Sequence, residues 1–498
     1  MHPRLCARAI GVAAWLAPVT LIGCAGPLDP AHDLTRDLSR SGRATVAADR
    51  SVYAPTRLAV SAGESRSLAE AQPLTAGSTP DDYIRRALAH NPEIEAARQR
   101  WIAAAQRAPQ VGALPDPRVT VGFFADEVET RVGAQQARVG IKQSFPWPGT
   151  LGSREDAAVR AAKAAWWGLE SARLGVAEAA VAALHEVALL DASIGVAREN
   201  LQIVVSIEPV VRTRYASGLS AHAELMRVQL ELGQAEDRLK HLVASRPASV
   251  ARLNAVLRRG PEAAVPELAA LPGWVASASA DELVAIAMTA SPALHALDET
   301  LAQQQHLTDV ARDEGRPAFT LGLDYTVTDE AANSAIAESG DDPVMLSLGL
   351  TIPLWRDKYR AGVRESVANR LAVASDRASR ADRIAAAVHA AWFTHTDAHR
   401  RVLLYEGSLI PKAHESLSST LEGFRVGESS FLDLLDAERT LLEFSLEVER
   451  ARAHRGQSLA TLHRLVGEPI PVEPADETQE TSPAPDPEPD TAPTEAQP

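Results

Sequence analysis

Two histidines, His395 and His399, are the side chains whose spacing best fits metal chemistry. They lie four residues apart in a segment predicted to be helical, which places both imidazoles on one helix face at metal-ligand spacing. A zinc site needs a third protein ligand, and none stands nearby in the sequence. We therefore interpret both histidines as packed or solvated side chains, and the sequence predicts no metal site and no cofactor.

Catalytic signatures are absent from the 498-residue sequence. It contains no Gly-x-Ser-x-Gly nucleophile turn, phosphate-binding loop, His-Glu-x-x-His motif or dinucleotide fingerprint. The formal net charge of −15 argues against nucleic-acid binding, because nucleic-acid binders concentrate basic residues on one face. The sequence therefore predicts a protein that is not an enzyme and that does not bind nucleic acid.

Both cysteines, Cys6 and Cys24, fall within the first 24 residues, which excludes a disulfide framework in the body of the chain. Basic residues precede an apolar stretch at 9–22, which is too short to span a bilayer and is typical of a secretory leader. Leu21-Ile22-Gly23-Cys24 resembles the lipobox of bacterial lipoproteins, which implies removal of residues 1–23 and a lipid on Cys24. A plain signal peptide with an incidental cysteine is the alternative. Alanine follows the cysteine instead of the aspartate that often marks inner-membrane retention, which favours the outer membrane.

The body of the chain is an internal duplication. Asn91-Pro92 and Ser291-Pro292 each open a helical stretch, 200 residues apart. The sequence Tyr-Ala-Ser-Gly, which ends at Gly218, corresponds to Phe-Arg-Val-Gly, which ends at Gly427, 209 residues later. An acidic residue, Glu224 or Asp433, follows each glycine by six positions. These matching motifs follow one another in the same order in both halves, over about 180 residues. They predict two repeats, at 80–260 and 281–467, joined by a linker at 261–280.

Each repeat is predicted to contain one helix of about 30 residues, two short strands and two very long helices. The sequence places the shorter helices at Asp81–Ala108 and Asp281–Glu314, and the long ones at Arg154–Glu208, Ser220–Arg258, Ala361–Tyr405 (continuing weakly past Pro411) and Phe431–Leu465. A 50-residue helix is about 75 Å long, so these helices need lateral, coiled-coil partners. The alternative, a compact helical bundle, requires more breaks than the sequence offers.

Four segments alternate between apolar and small or polar residues, with the period of two that is typical of strands. They lie near residues 119–123, 139–145, 318–326 and 345–352. A half-buried strand on a soluble core is one interpretation; a membrane strand with a wet inner face is the other. Four strands cannot close a barrel, for which about eight are needed, so membrane strands would require the chain to oligomerise.

The ordered set of landmarks over about 80–467 resembles the TolC-like outer-membrane efflux family. The resemblance rests on Asn91-Pro92, the repeated strand pairs, the Pro146-Trp147-Pro148-Gly149 turn and the stretch at 426–437. It implies a mainly α fold with a small β part, a duplicated repeat of long coiled-coil helices plus four membrane strands. Three chains would then share a twelve-stranded barrel and a helical periplasmic tunnel. The implied partners are a periplasmic adaptor and an inner-membrane pump of the RND type.

The resemblance also assigns roles to individual residues. It implies that Gly218 and Gly427 form the helix-hairpin tips, which with Glu224 dock the adaptor, and that the glycines take positive φ. Asp433 and Asp436 would form carboxylate rings at the periplasmic entrance; two solvated helix charges are the alternative. Phe424 stands where a tyrosine is frequent in the family, which argues against a hydroxyl-based latch between hairpins.

The Pro-Trp-Pro-Gly turn and its counterpart at 354–359 are similar to the heavy-metal branch of the family, which favours export of heavy-metal cations. The alternatives are an outlet for drugs or for type I secretion, and a lipid-anchored coiled-coil spacer. Residues 24–79 are predicted to be an extended, lipid-anchored segment of an outer-membrane protein. Residues 468–498 form an acidic tail, with eight acidic residues and eight prolines from 471 onward, and are predicted to be disordered.

Overall fold

The computed structural model describes residues 74, 78–268, 271–331 and 337–475. The predicted leader, Cys24 and most of the segment at 24–79 lie outside the described residues, as does the acidic tail from 476 onward.

The described helices and strands repeat in the order that the duplication predicts. The first repeat contains α1 (Pro80–His90), α2 (Pro92–Ala105), α3 (Arg107–Gly112), β1 (Arg118–Thr130), β2 (Gly133–Phe145), α4 (Thr150–Ala216) and α5 (His222–Val256). The second contains β3 (Trp274–Ala276), α6 (Ala280–Ala290), α7 (Pro292–Asp313), β4 (Ala318–Thr328), β5 (Val344–Thr351), α8 (Arg356–Leu404), a π-helical turn (Tyr405–Leu409), α9 (Ile410–Val426), α10 (Phe431–Val466) and β6 (Val472–Pro474).

The opening helix of each repeat is interrupted, so the prediction of one helix over 81–108 and one over 281–314 is wrong. Asn91 and Ser291, each followed by proline, are extended, with ψ of 126° and 119°. The proline ring disfavours helical backbone in the residue before it, while the proline itself suits the first turn of the next helix. Asn91 also caps α2, because its side chain accepts from the Glu93 N–H at 2.8 Å. A second break, at Gln106, separates α2 from α3.

The long helix α4 runs for 67 residues and continues through Pro209, eight residues beyond its predicted end at Glu208. A proline inside a helix removes one hydrogen bond and costs about 3 kcal/mol. Ile207 and Val211, on either side of it, are fully buried in an apolar cluster, and this packing holds the helix together. By contrast, α10 ends at Val466, within one residue of the prediction.

The helices pack side by side, as the coiled-coil prediction requires, with α4 in contact with α5, α7 and α10, and α8 in contact with α7 and α10. One apolar cluster joins α1, α2, α4 and α5 around Tyr83, Leu184 and Leu253, and a second joins α6, α8 and α10. Among the described helices, one, α4, has a window long and apolar enough to cross a membrane, and 44% of that window is buried inside the chain.

The four longer strands form one antiparallel sheet in the order β1–β2–β4–β5. The hairpin of the first repeat therefore pairs with the hairpin of the second through β2 and β4, in a register that aligns Val139 with Tyr325. Among the described residues, no strand pairs with the outer edges of β1 and β5. The short strands β3 and β6 pair separately and tie the end of the second repeat to its start.

Candidate functional site

The four-stranded sheet turns its apolar side chains outward. Phe123 and Leu346 are 81% and 79% exposed, whereas Asp324 and Thr326 on the other face are 5% and 8% exposed. The apolar clusters of the described residues lie between helices and around β3, away from this sheet. A soluble half-buried sheet shows the opposite pattern, with its apolar face in the core. This sheet therefore has the surface of a membrane strand set, with an apolar outside and a polar inside.

The foot of the sheet carries exposed aromatic and basic side chains. Trp355 is 76% exposed just after β5. In the Pro-Trp-Pro-Gly turn, Trp147 stacks on Phe319 at 6.4 Å, and the Arg316 guanidinium lies 5.3 Å from the Trp147 ring centre. Gly149 takes a φ of +98° and leads directly into α4. Tryptophan and arginine side chains grouped at one end of such a sheet are typical of a membrane–water interface.

Each helical hairpin ends in a turn centred on a glycine. We call residues 214–224, between α4 and α5, tip 1, and residues 423–433, between α9 and α10, tip 2. Gly218 and Gly427 take φ of +75° and +91°, in the left-handed region that favours glycine. In tip 2 the Gly427 and Glu428 N–H groups both donate to the Gly423 carbonyl at 2.8 Å, which closes the end of α9.

Asp433 and Asp436 are both exposed on the first turns of α10, and they lie on one face of the helix. Asp433 also completes a capping box, a role that the sequence interpretation missed although Ser-x-x-Asp before an apolar run indicates it. The Ser430 N–H and Oγ–H donate to Asp433 Oδ2 at 3.0 and 2.8 Å, and the Asp433 N–H donates to Ser430 Oγ at 3.2 Å. These hydrogen bonds lower the pKa of the Asp433 carboxyl below its ordinary value.

Glu224 occupies the equivalent place in the first turn of α5, where it is partly exposed. Residue 221, at the cap position of this helix, is an alanine and provides no side-chain hydrogen bond. Tip 1 therefore keeps the acidic residue of the repeat and lacks the capping box of tip 2.

Arg214 connects the two tips, and neither motif nor periodicity pointed to it. Its Nη1 donates to the Arg425 carbonyl at 3.1 Å, at the end of α9, and its guanidinium lies 4.8 Å from the Phe424 ring centre. The same side chain donates from Nε to Ser220 Oγ at 3.4 Å. Phe424 is 2% exposed and packs on Phe431. The phenyl ring thus supplies a buried platform for an arginine from the other hairpin.

His395 is fully buried, and both of its ring nitrogens have partners. Nε2 accepts from the Ala276 N–H at 3.0 Å, so Nδ1 carries the proton and donates to the Arg455 carbonyl at 3.0 Å. Burial lowers the pKa of His395 to about 4. His399 lies against the Arg455 guanidinium at 3.5 Å. These contacts make His395 a packed residue that connects β3 to α8 and α10. Among the described residues, no group of three or more His, Cys, Asp or Glu side chains could hold a metal.

The protein-family model described as "Outer membrane efflux protein" matches residues 83–257 and 283–468, which cover most of both repeats. This chain belongs to the outer membrane efflux protein family. The efflux protein is 21% identical over 371 residues to the cobalt-zinc-cadmium resistance protein CzcC of Cupriavidus metallidurans, a match that covers 72% of the chain and 82% of CzcC.

Solved structures show the same fold. The outer membrane protein VceC of Vibrio cholerae matches with a TM-score of 0.64 at 18% identity, over 78% of this efflux protein and 96% of VceC. CusC, described in the context of transmembrane channel formation, matches with a TM-score of 0.63 at 13% identity, over 80% and 96% of the two chains. The family and the fold confirm the predicted duplicated, mainly helical architecture and the outer-membrane location, and the protein is the outer-membrane component of an efflux system.

Proposed function

We propose that three copies of this chain form the outlet of a tripartite efflux system. One observation carries this proposal: the sheet exposes its apolar face, and its edge strands, β1 and β5, have no further partner strand in the part of the chain that the structure describes. Open strand edges are not tolerated in a bilayer, and four strands are about half of the smallest closed barrel. Pairing β5 of one copy with β1 of the next closes the sheet, and three copies give a wide lumen.

The chain acts as a passive conduit and performs no catalysis. Its tunnel selects by width and by lining charge, and an inner-membrane pump of the RND type supplies the energy. A lipid on Cys24 adds an anchor in outer-membrane lipid, because one acyl-bearing segment increases membrane affinity without a spanning helix.

The two tips dock the periplasmic adaptor. Gly218, Gly427 and Glu224 lie in these turns, as the family resemblance implies. The tips also expose apolar side chains at their extremity: Leu219 is 67% exposed and Val426 is 72% exposed. Exposed apolar groups grouped at one end of a long hairpin are typical of an interaction surface.

Asp433 and Asp436 form the periplasmic entrance. Around a threefold axis, each contributes a ring of carboxylates to a narrow neck, where the potential favours cations. The capping box supports this role because it holds the Asp433 carboxylate in a fixed position and in its ionised form.

The exported substrate is a heavy-metal cation. Support comes from the similarity to CzcC, whose name records resistance to cobalt, zinc and cadmium, and from the Pro-Trp-Pro-Gly turn. The carboxylate rings suit the same charge class.

A susceptibility panel on a deletion strain tests this proposal. The strain, complemented with wild-type or empty plasmid, is exposed to divalent and monovalent heavy metals and to dyes, detergents and antibiotics. We expect increased sensitivity to metals alone, restored by the wild-type plasmid. Sensitivity to organic compounds would replace the metal outlet with a drug outlet.

The assembly itself is tested separately. We expect an SDS-resistant trimer that conducts ions in a planar bilayer, and a monomer or dimer without conductance would support the coiled-coil spacer.

A further inference from the structure

The inner face of the membrane sheet carries two cations in one row. The strand register aligns Arg118 of β1 with Lys142 of β2, Lys142 with Gly322 of β4, and Gly322 with Ser347 of β5. Directly aligned residues of an antiparallel sheet point to the same face. Arg118 and Lys142, which we call the basic pair, therefore lie side by side at one height of the sheet.

The basic pair lies on the polar inner face. A side chain added at Gly322 would meet Ser347 Oγ at 2.5 Å and Lys142 Cγ at 3.1 Å, so the lysine stem lies across the glycine. The neighbours of this row in sequence, Ile141 and Leu321, are about half exposed on the apolar outer face. In the closed assembly, the ammonium and guanidinium groups of the pair thus face the lumen.

Neither cation of the pair is neutralised by an ion pair within the described chain. The nearest acid along β4, Asp324, lies two residues further along the strand on the same face and pairs with Arg138 of β2 at 3.3 Å. Like charges directly opposite one another destabilise an antiparallel sheet. The basic pair therefore imposes a cost on the sheet that no described ion pair offsets.

We propose that the basic pair forms an anion-attracting collar inside the barrel and that its ligands are small inorganic anions such as chloride. This inference rests on the proposed function, because the collar closes only when three copies pair their sheets. Rings of Arg and Lys side chains favour anions in a pore, as rings of carboxylates favour cations. The conduit therefore has two charged levels of opposite sign in series: a carboxylate entrance at Asp433 and Asp436, and a basic collar at membrane level.

The collar predicts how the ion preference of the channel changes when the pair is neutralised. The full-length protein is reconstituted in planar bilayers under a potassium chloride gradient, and the chloride-to-potassium permeability ratio is measured. In the double variant Arg118→Gln, Lys142→Gln, we expect this ratio to fall about threefold. Arg131→Gln is the matched control: Arg131 lies outside the row at the β1–β2 turn, where it pairs with Glu338 at 2.9 Å, and its removal should leave the ratio unchanged.

A second variant does not depend on inserting a neutralised sheet. In Lys142→Cys, the channel is modified after insertion with an anionic or a cationic thiol reagent, and the wild-type channel treated in the same way is the control. We expect the cationic reagent to restore the chloride preference and the anionic reagent to lower it further. Equal effects of the two reagents, or an unchanged ratio in the double variant, would overturn the collar alone. An inserted wild-type protein that conducts nothing would overturn the proposed channel, and the collar with it.

Discussion

Tip 1 and tip 2 align position by position when the chain is shifted by 209 residues. Tyr215 of tip 1 aligns with Phe424 of tip 2, and Arg227 of α5 aligns with Asp436 of α10. Tyr215 is 42% exposed, whereas Phe424 is 2% exposed at the centre of an apolar cluster. Both turns keep the glycine with positive φ, but only tip 2 has a buried aromatic anchor, a capping box and two acids on one helix face.

The two hairpins share the shape of their turn and differ in the side chains around it. The turn depends on one glycine in each copy, so both glycines remain. The charge on the helix that follows each turn is not the same in the two copies, because Asp436 of α10 stands where α5 has Arg227. Tip 2 is therefore the better-packed and more acidic of the two, and tip 1 is attached to it through Arg214.

The largest difference between the tips should appear when the aligned aromatic residues are removed. Phe424→Ala empties a fully packed site, and we expect the local opening free energy of α9 and α10 near tip 2 to fall by about 3–5 kcal/mol. Tyr215→Ala removes a half-exposed ring and should cost less than about 1 kcal/mol. Amide hydrogen exchange of the tip peptides measures both. Equal losses at the two tips would contradict the asymmetry in packing.

The connection between the tips should account for the next largest effect. Arg214→Met keeps the apolar stem and removes the charge-assisted hydrogen bond to the Arg425 carbonyl. We expect a loss of about 1–2 kcal/mol, since a hydrogen bond to a charged group and a cation–π contact are both removed. Because Arg214 joins the hairpins, exchange should accelerate in both tips.

Arg212→Met is the matched control for this variant. Arg212 is exposed on the same helix turn and pairs with Glu208 of its own helix. It should change neither tip by more than a few tenths of a kcal/mol. Faster exchange in tip 1 alone for Arg214→Met would show that the arginine stabilises only its own turn.

The features that the sequence predicted are those that local patterns encode. Alternation identified the four strands, and Gly218 and Gly427 identified the turns. The same local rules also explain the interruptions at Asn91 and Ser291, because the residue before a proline is disfavoured in a helix and therefore ends one helix where the proline begins the next. The direction of the strand faces was not encoded locally, since the pattern of period two is the same whether the apolar face meets a core or a membrane.

Features that depend on distant residues could not be predicted. Arg214 contacts a carbonyl 211 residues away, so no spacing rule relates them. The continuation of α4 through Pro209 depends on the burial of Ile207 and Val211 against the second repeat, which overrides the cost of the proline. His395 likewise owes its role to a backbone N–H of β3, 119 residues earlier in the chain.

The difference in helix capping can be tested by exchanging it between the tips. Ser430→Ala removes the cap of α10 and should lower the stability of its first turns by about 1 kcal/mol. Ala221→Ser in tip 1 places a serine three residues before Glu224, which creates the capping-box pattern that α5 lacks, and should stabilise α5 by about 0.5–1 kcal/mol. Hydrogen exchange of the two helix starts measures both changes. A serine at 221 without added protection would mean that the tip 1 backbone cannot adopt the cap.

The smallest expected effect is the pH dependence of the proposed acidic entrance at Asp433. Hydrogen bonds from Ser430 lower the pKa of Asp433 in the folded protein, so the cap contribution is fully present above about pH 4, the ordinary range of an aspartate, and is lost as the pH falls through the lowered pKa. In planar bilayers, Asp433→Asn should remove one acidic step in the pH dependence of cation preference. Ser430→Ala should keep the step and move it to higher pH, because the hydrogen bonds that favour the charged form are gone. A step at the same pH in Ser430→Ala and in the wild type would show that Asp433 titrates independently of its cap. A step that persists in Asp433→Asn would show that Asp433 is not its source.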